Sequence, residues 1–309
     1  MLDCQTDTAS PDVKLTWEPA HWYKVPNDRW EQIIAEPAEL EEQLCRPLKI
    51  KFLSQNSITH VVEKCKESSV IKISEEQQSD LIPAVYEGGL KIWECTWDLL
   101  HYLAESSDIL WQGKRVLELG CGAGILGIYA VLQGASVTLQ DYNEDVIEHI
   151  TAPNVLYNVA ELTETSNESD AGLIENMHVQ SNELSQFDVI MTSETIYNQE
   201  NYEKILKVFT TCLKPHGVVY PLLHCSERHI LLLAAKSYYF GVGGGTASFL
   251  AAVERTGCLQ HKKLFEHTSG VRREIIEIRR VPYYILLLTL FCQSSESVTF
   301  QSPKNLFEQ

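Results

Sequence analysis

The chain has 309 residues, 44% of them apolar and 22% charged, a balance that excludes a disordered, collagen-like or coiled-coil protein and leaves one large domain or two modest ones. Lys and Arg number 25 against 42 Asp and Glu, and the net charge of −17 repels phosphate backbones, excludes a broad nucleic-acid face and suits a basic protein partner. The 9 cysteines are odd in number and include no CxxC pair, so neither a disulfide framework nor a zinc ribbon fits, and a reducing compartment does.

The N-terminus, MLDCQTDTASPD, has neither the apolar run of a signal peptide nor the Arg-rich face of a transit sequence. Trp17, Trp22, Tyr23 and Trp30 then fall among Pro11, Pro19, Pro26 and Pro37, the texture of an irregular segment. PAELEEQL, 37–44, suggests a short helix, and Leu48, Ile50 and Phe52 alternate with lysines as a half-buried strand does. Polar residues 74–80 read as a linker. The predicted division is therefore an N-terminal extension over 1–79, a main domain over 80–280 and a tail over 281–309.

From Leu81 strands alternate with helices. Strands are predicted at 115–119, 136–140, 187–192, 218–223, 231–235 and 274–279, and helices at 125–132, 143–150, 154–161, 201–213 and 246–255, with Pro153 parting the second helix from the third and an acidic loop over 161–170. This order predicts an α/β fold, a Rossmann-like, mostly parallel sheet with helices on both faces and ligands at the carboxyl ends of the strands. The late apolar run Val281 to Cys292 falls short of the ~20 residues of a membrane span.

The chemistry concentrates at Glu118-Leu119-Gly120-Cys121-Gly122-Ala123-Gly124, between the first strand and its helix. Glycines there permit positive φ and close approach of a ligand to the backbone, and Asp141 at the tip of the next strand is placed to accept ribose hydroxyls. Gly122, Gly124 and Gly127 also satisfy GxGxxG, which keeps NAD open. A carboxylate at Glu118 suits a cation better than a pyrophosphate, which favours S-adenosyl-L-methionine. His224, Cys225 and His229 match no metal-site spacing, and no metal is expected.

Several segments together resemble one family. VYEGGLKIWECT (85–96), VLELGCGAG (116–124), LQDYN (139–143), TSETIYN (192–198) and KSYYFGVGGG (236–245) are similar, in order, to the protein-histidine N-methyltransferases of the methyltransferase-like protein 18 type. The resemblance covers about residues 80–280. It implies a seven-strand class I methyltransferase sheet, S-adenosyl-L-methionine as cofactor, and methylation of the tele nitrogen of a histidine in a large-subunit ribosomal protein, with effects on ribosome biogenesis and translation. It also implies chaperones among the partners and residence in the cytoplasm and nucleus, the nucleolus included. Carried over by position, it implies cofactor contacts at Ile92, Trp93, Glu94, Cys95, Thr96, Gly120, Gly122, Gln140, Asp141 and Tyr142, and Glu118 is expected to bind the cofactor with them.

Glu194-Thr195-Ile196-Tyr197 resembles an Asp-x-x-Tyr motif of related protein methyltransferases. At a strand end facing the transferred methyl, Glu194 is expected to orient the imidazole and Tyr197 to wall its ring. A neutral imidazole, with an ordinary pKa of ~6.5, already carries a nucleophilic nitrogen, so positioning is the main task. The bland reading of Glu194 is a carboxylate capping a helix. The 236–245 stretch reads either as an aromatic lid or as a long sheet-to-helix turn. Three stretches depart from the family pattern: a short 170–187 segment in which Asn182-Glu183-Leu184 stands where Gly-Glu-Trp is expected after the third strand, an inserted 221–230, and the tail 281–309. A lysine methyltransferase of the same superfamily and a non-catalytic binding module retaining the fold are the alternatives.

Overall fold

The computed structural model describes residues 38–83, 85–165, 186–215 and 229–282, together with Tyr23 and Ile33. The aromatic segment before Pro37, the expected strand at 218–223, the 170–187 and 221–230 departures and the tail fall wholly or mostly outside the described residues.

The chain begins with a hairpin, β1 (Leu40–Cys45) antiparallel to β2 (Leu48–Leu53). The helix expected over 37–44 is therefore a strand. Its Glu42 finds lysines across the pair, standing opposite Lys51 and bonded to Lys49 Nζ at 3.1 Å, and cross-strand pairing of this kind overrides helix propensity. Two helices follow, α1 (Gln55–Lys64) and α2 (Val70–Glu76). Ser54 caps α1 by accepting from Ser57 N at 3.2 Å. The polar stretch expected as a linker is thus in part the end of α2, whose Ile71 is fully buried.

The main sheet contains β3 (Arg115–Leu119), β4 (Ser136–Gln140), β5 (Val189–Ser193), β6 (Ile230–Lys236), β7 (Leu259–His267) and β8 (Arg273–Arg280) in the order β4-β3-β5-β6-β8-β7. β4, β3, β5 and β6 are parallel, and β8 runs antiparallel to both β6 and β7. Six strands of the expected seven lie among the described residues; the segment expected to hold the other is 170–187, most of which is not described. The crossovers are α3 (Glu94–Glu105), α4 (Ile125–Leu132), α5 (Ala152–Thr165), α6 (Tyr202–Cys212) and α7 (Thr246–Arg255). A short helical turn, Glu144–Val146, and a π turn, Ile147–Thr151, run into α5, so Pro153 sits in the first turn of α5 and does not divide two helices.

One apolar cluster runs from Ile50, Ile58 and Ile71 through Leu99, Val116 and Leu126 to Ile150, so the hairpin and first helices share a core with one face of the sheet. A second cluster, with Ile190, Phe209, Phe249 and Ile276, fills the other face. Two asparagines one turn apart on α5 fasten the hairpin. Asn154 Oδ1 accepts Leu53 N at 2.8 Å and Asn158 Oδ1 accepts Lys51 N at 2.9 Å, satisfying backbone donors of β2 that no strand meets.

Candidate active site

The parallel strands end together, and the turns that leave β3, β4 and β5 meet there. Gly120, Gly122 and Gly124 take φ of 65°, 47° and 75°, so the loop after β3 curls back under α4 in a conformation that L side chains resist. Asp141 closes it, Oδ2 accepting Gly122 N at 2.8 Å and Oδ1 accepting Asn143 N at 3.1 Å. Both oxygens thus hold backbone, and Asp141 braces the loop. Gln140 lies beside it, exposed, its Oε1 3.4 Å from Gly120 N, and the Tyr142 ring is largely in solvent.

Glu118 points the other way. It is buried, and Oε2 accepts Gly127 N at 2.7 Å inside the first turn of α4. Desolvation pushes its carboxyl up to about 8, against the downward pull of the Gly127 and Leu126 N–H groups. A carboxyl that keeps its proton near neutrality exerts little repulsion on a phosphate, so the charge argument for the cofactor does not hold at Glu118. Because its folded pKa exceeds the unfolded value of 4.5, its favourable contribution is complete below that value and is lost as pH rises towards about 8. Melting temperature measured across this window is expected to fall with pH in the wild type and to fall less in Glu118→Gln, whose amide oxygen still accepts Gly127 N–H.

The segment before α3 lies on the glycine loop. A Cβ on Gly122 would stand 3.1 Å from Gly89 O. Trp93 lies against Gly88, its Nε1 donating to Gly88 O at 3.1 Å, while Lys91 and Lys236 Nζ approach its ring at 4.6 and 5.2 Å. Trp93 is therefore half-exposed at the start of α3 and not a core aromatic. Cys95 is fully buried, Ile92 half-buried and Glu94 exposed, and Thr96 Oγ1 bonds Ser193 Oγ at 3.1 Å, tying α3 to the end of β5.

Glu194 follows β5 with φ of 59°, in the left-handed region. Its carboxylate is buried, with Oε2 accepting Tyr239 O–H at 2.6 Å, Oε1 accepting Cys95 N at 3.3 Å and Lys236 Nζ 3.6 Å away. It does cap a helix, but α3 and not the one that follows it in sequence. Lys236 also pairs with Glu94 at 3.1 Å; burial works against its charge, yet Glu194 and Glu94 outweigh it and raise its pKa. Tyr239 is half-buried, with its hydroxyl beside these carboxylates and held well above its usual range, first by desolvation and then by Glu194. Tyr197 turns towards the loop before α3, its hydroxyl donating to Glu87 Oε2, and its ring meets Tyr239 edge-on at 6.3 Å.

The 236–245 stretch divides its aromatics. Tyr239 points in to Glu194, while Tyr238 and Phe240 stack edge-on at 5.1 Å in solvent. Gly244 N donates to Tyr197 O at 2.9 Å, which pins the stretch to the turn after β5. Glu87, Ser193, Lys236 and Tyr239 join the expected residues here; all four lie in segments that carry the family resemblance, but none is among the site residues it implies. His229 lies elsewhere, at the start of β6, with Nδ1 3.1 Å from Pro215 O and Nε2 3.4 Å from Asp188, and His224 and Cys225 are outside the described residues.

The sequence model of a family described as lysine methyltransferase matches residues 66–238. A mouse protein named histidine protein methyltransferase 1 homolog is 36% identical over 304 residues, covering 90% of this chain and 79% of that one. The chain belongs to the histidine protein methyltransferase 1 family. A Dictyostelium discoideum member is 40% identical over 203 residues, 65% of this chain, and the match spans 60% of that relative's length. Mouse EEF1A lysine methyltransferase 3 is 28% identical over 136 residues, 42% of this chain and 53% of its own. Membership of a methyltransferase family decides the cofactor for S-adenosyl-L-methionine over NAD. The loop fits that ligand: the Gly120 backbone is exposed, Gln140 offers polar atoms and Tyr142 a ring face. Among the described residues no helix is long and apolar enough to cross a membrane.

Proposed function

We propose that this protein transfers a methyl group from S-adenosyl-L-methionine to the tele nitrogen of a histidine in a basic large-subunit ribosomal protein, acting in the cytoplasm or nucleus before the protein is assembled. The observation that carries the reading is the contact between the turn after β5 and the cofactor loop. A Cβ on Gly120 would lie 2.6 Å from Thr195 Cγ2, so Glu194 and Tyr197 flank the residue that touches the loop. In this reading Tyr197 and Trp93 wall the reacting ring, Glu194 positions Tyr239 and the first turn of α3, and the net charge of −17 draws in a basic polypeptide. Lysine methylation is the second reading, favoured by the description of the matching family and by the lysine methyltransferase relative.

The first test is thermal stability with S-adenosyl-L-methionine and with NAD. At 100-fold excess over its dissociation constant a ligand stabilises by about 2.7 kcal/mol, which is about 5–10 °C for a domain of this size. S-adenosyl-L-methionine is expected to give this shift and NAD none. Asp141→Ala removes the acceptor of Gly122 N–H and is expected to abolish it. Hydrolysates of methylated ribosomal protein then separate the readings, methylhistidine supporting the first and methyl-lysine the second; cofactor binding without transfer to either would leave a binding module.

A further inference from the structure

We infer that Phe240, flanked by Tyr238 and Val242, is an anchor for the substrate polypeptide and takes an apolar side chain one or two residues from the methylated one; the inference rests on the reading of a basic protein substrate above. The 236–245 stretch carries an apolar tip on a closed base. Tyr239 N donates to Gly244 O at 2.9 Å, Gly243 N donates back to Tyr239 O at 2.9 Å, and Gln199 Nε2 donates to Gly243 O at 2.6 Å. Gly241 and Gly243, with φ of 83° and 89°, let the chain reverse within this base. Tyr239 points in to Glu194, while its two neighbours, Tyr238 and Phe240, meet edge-on at 5.1 Å in solvent. Phe240 is 80% exposed, Tyr238 49% and Val242 39%. Single apolar residues scattered over a surface need no explanation, but three on one hydrogen-bonded turn form a patch.

The place of the tip selects its occupant. Gly244 N donates to Tyr197 O at 2.9 Å, and the Tyr239 ring meets the Tyr197 ring at 6.3 Å, so the turn that carries Phe240 is continuous with the wall of the reactive site. Phe240 directly follows Tyr239, one Cα spacing of ~3.8 Å along the chain. An extended polypeptide advances ~3.3 Å per residue. A substrate that lays its reacting side chain against Tyr197 therefore brings a residue one or two positions away to Phe240. Charge and apolar contact act at different ranges here. The net charge of −17 draws a basic polypeptide in from a distance, whereas residues 237–245 include no charged side chain, so the contact at the tip is apolar. Aromatic anchors with a polar rim carry much of the binding energy at interfaces, and Gln199 and Glu200, both exposed, supply that rim.

The test uses the full chain, S-adenosyl-L-methionine and RNA-free large-subunit ribosomal proteins, with methyl transfer followed against the concentration of these proteins. Phe240→Ala is expected to raise the apparent KM by about 10-fold or more and to leave kcat unchanged, the mark of an interaction made equally in the ground and transition states. Phe240→Leu, which keeps an apolar tip, is expected to restore most of the affinity. Leu110→Ala is the control: Leu110 is 77% exposed on the loop that enters β3, at the opposite end of the strands, and KM is expected to stay at the wild-type value. Melting temperature and calorimetric binding of S-adenosylhomocysteine are expected to match wild type in all three variants. An unchanged KM in Phe240→Ala would overturn the assignment. So would a KM that rises together with loss of S-adenosylhomocysteine binding or of melting temperature, since Phe240 would then serve the fold. A change of oligomeric state in Phe240→Ala with KM unaltered would give the tip to a second copy of the chain and overturn it likewise. Wild type that methylates none of these proteins overturns the substrate reading and the anchor with it; wild type that methylates them, with Phe240→Ala unaffected, overturns only the anchor.

Discussion

Lys236→Met is expected to destabilise the protein by about 3–5 kcal/mol, the usual cost of removing one partner from a buried ion pair, which lowers the melting temperature by on the order of 10 °C. Lys236 is 16% exposed and Glu194 7%, so water cannot replace the lost ammonium at Glu194. Methionine keeps the length of the stem, so the loss is one of charge, including the approach of Nζ to the rings of Trp93 and Tyr239. Adding Glu194→Gln to this variant is expected to recover much of the loss, because the amide oxygen still accepts from Tyr239 and no uncompensated charge remains. Thermal melts of the two single variants and the double variant give the coupling directly. Strict additivity of the two single changes would show that the pair does not couple the end of β6 to the turn after β5.

Gly244→Ala is expected to cost more activity than the same change at Gly241 or Gly243. A Cβ there would stand 2.3 Å from both Ile196 O and Tyr197 O, and these are backbone atoms that cannot swing aside. The N–H of Gly244 donates to Tyr197 O at 2.9 Å and its carbonyl accepts Tyr239 N at 2.9 Å, so moving it shifts Tyr197 and Tyr239 together. Misplacement of the walls of a reactive site by 1 Å can cost about 100-fold in rate, and a loss of that size in kcat is the expected result. Gly241→Ala and Gly243→Ala are the controls. Both positions open onto empty space and suffer only from φ of 83° and 89°, a penalty of about 1–2 kcal/mol each. Similar kcat values for all three variants would count against the pinning of this stretch to the turn after β5.

The sheet was legible where its strands are short apolar runs between turn residues: RVLEL, SVTLQ, VIMTS and EIIEIR all occur as strands within a residue or two of their predicted bounds. The β7 edge was not. In β7, LQHKKLFEH, charged and polar residues outnumber apolar ones, and a register shift between Lys263 and Phe265 breaks the alternation that identifies a strand. β1 misled for a related reason, since a glutamate-rich strand reads as a helix until its lysine-bearing partner is known. The glycine loop and Asp141 could be read because they are neighbours across a single strand-helix-strand unit. The direction in which Glu118 and Asp141 point could not, because both choices place the same residue type at the same strand end and only burial separates them. The Glu87–Tyr197 contact spans 110 residues and the Glu194–Tyr239 contact 45, and no local pattern couples positions so far apart.

The two thiols of the site are shielded. Cys121 lies between Gly120 and Gly122 with its side chain buried, and Cys95 is fully buried under the first turn of α3. Burial raises both thiols well above their ordinary pKa, with Asp141 adding to the effect at Cys121 and Glu194 at Cys95. Alkylating reagents and peroxide attack the thiolate, so neither sulfur reacts while the closed arrangement persists. Their modification reports the fraction of time during which the cofactor loop and α3 stand open, and a bound ligand that holds them shut should slow this clock at Cys95 and Cys121 while leaving the half-buried Cys212 and Cys258 unaffected.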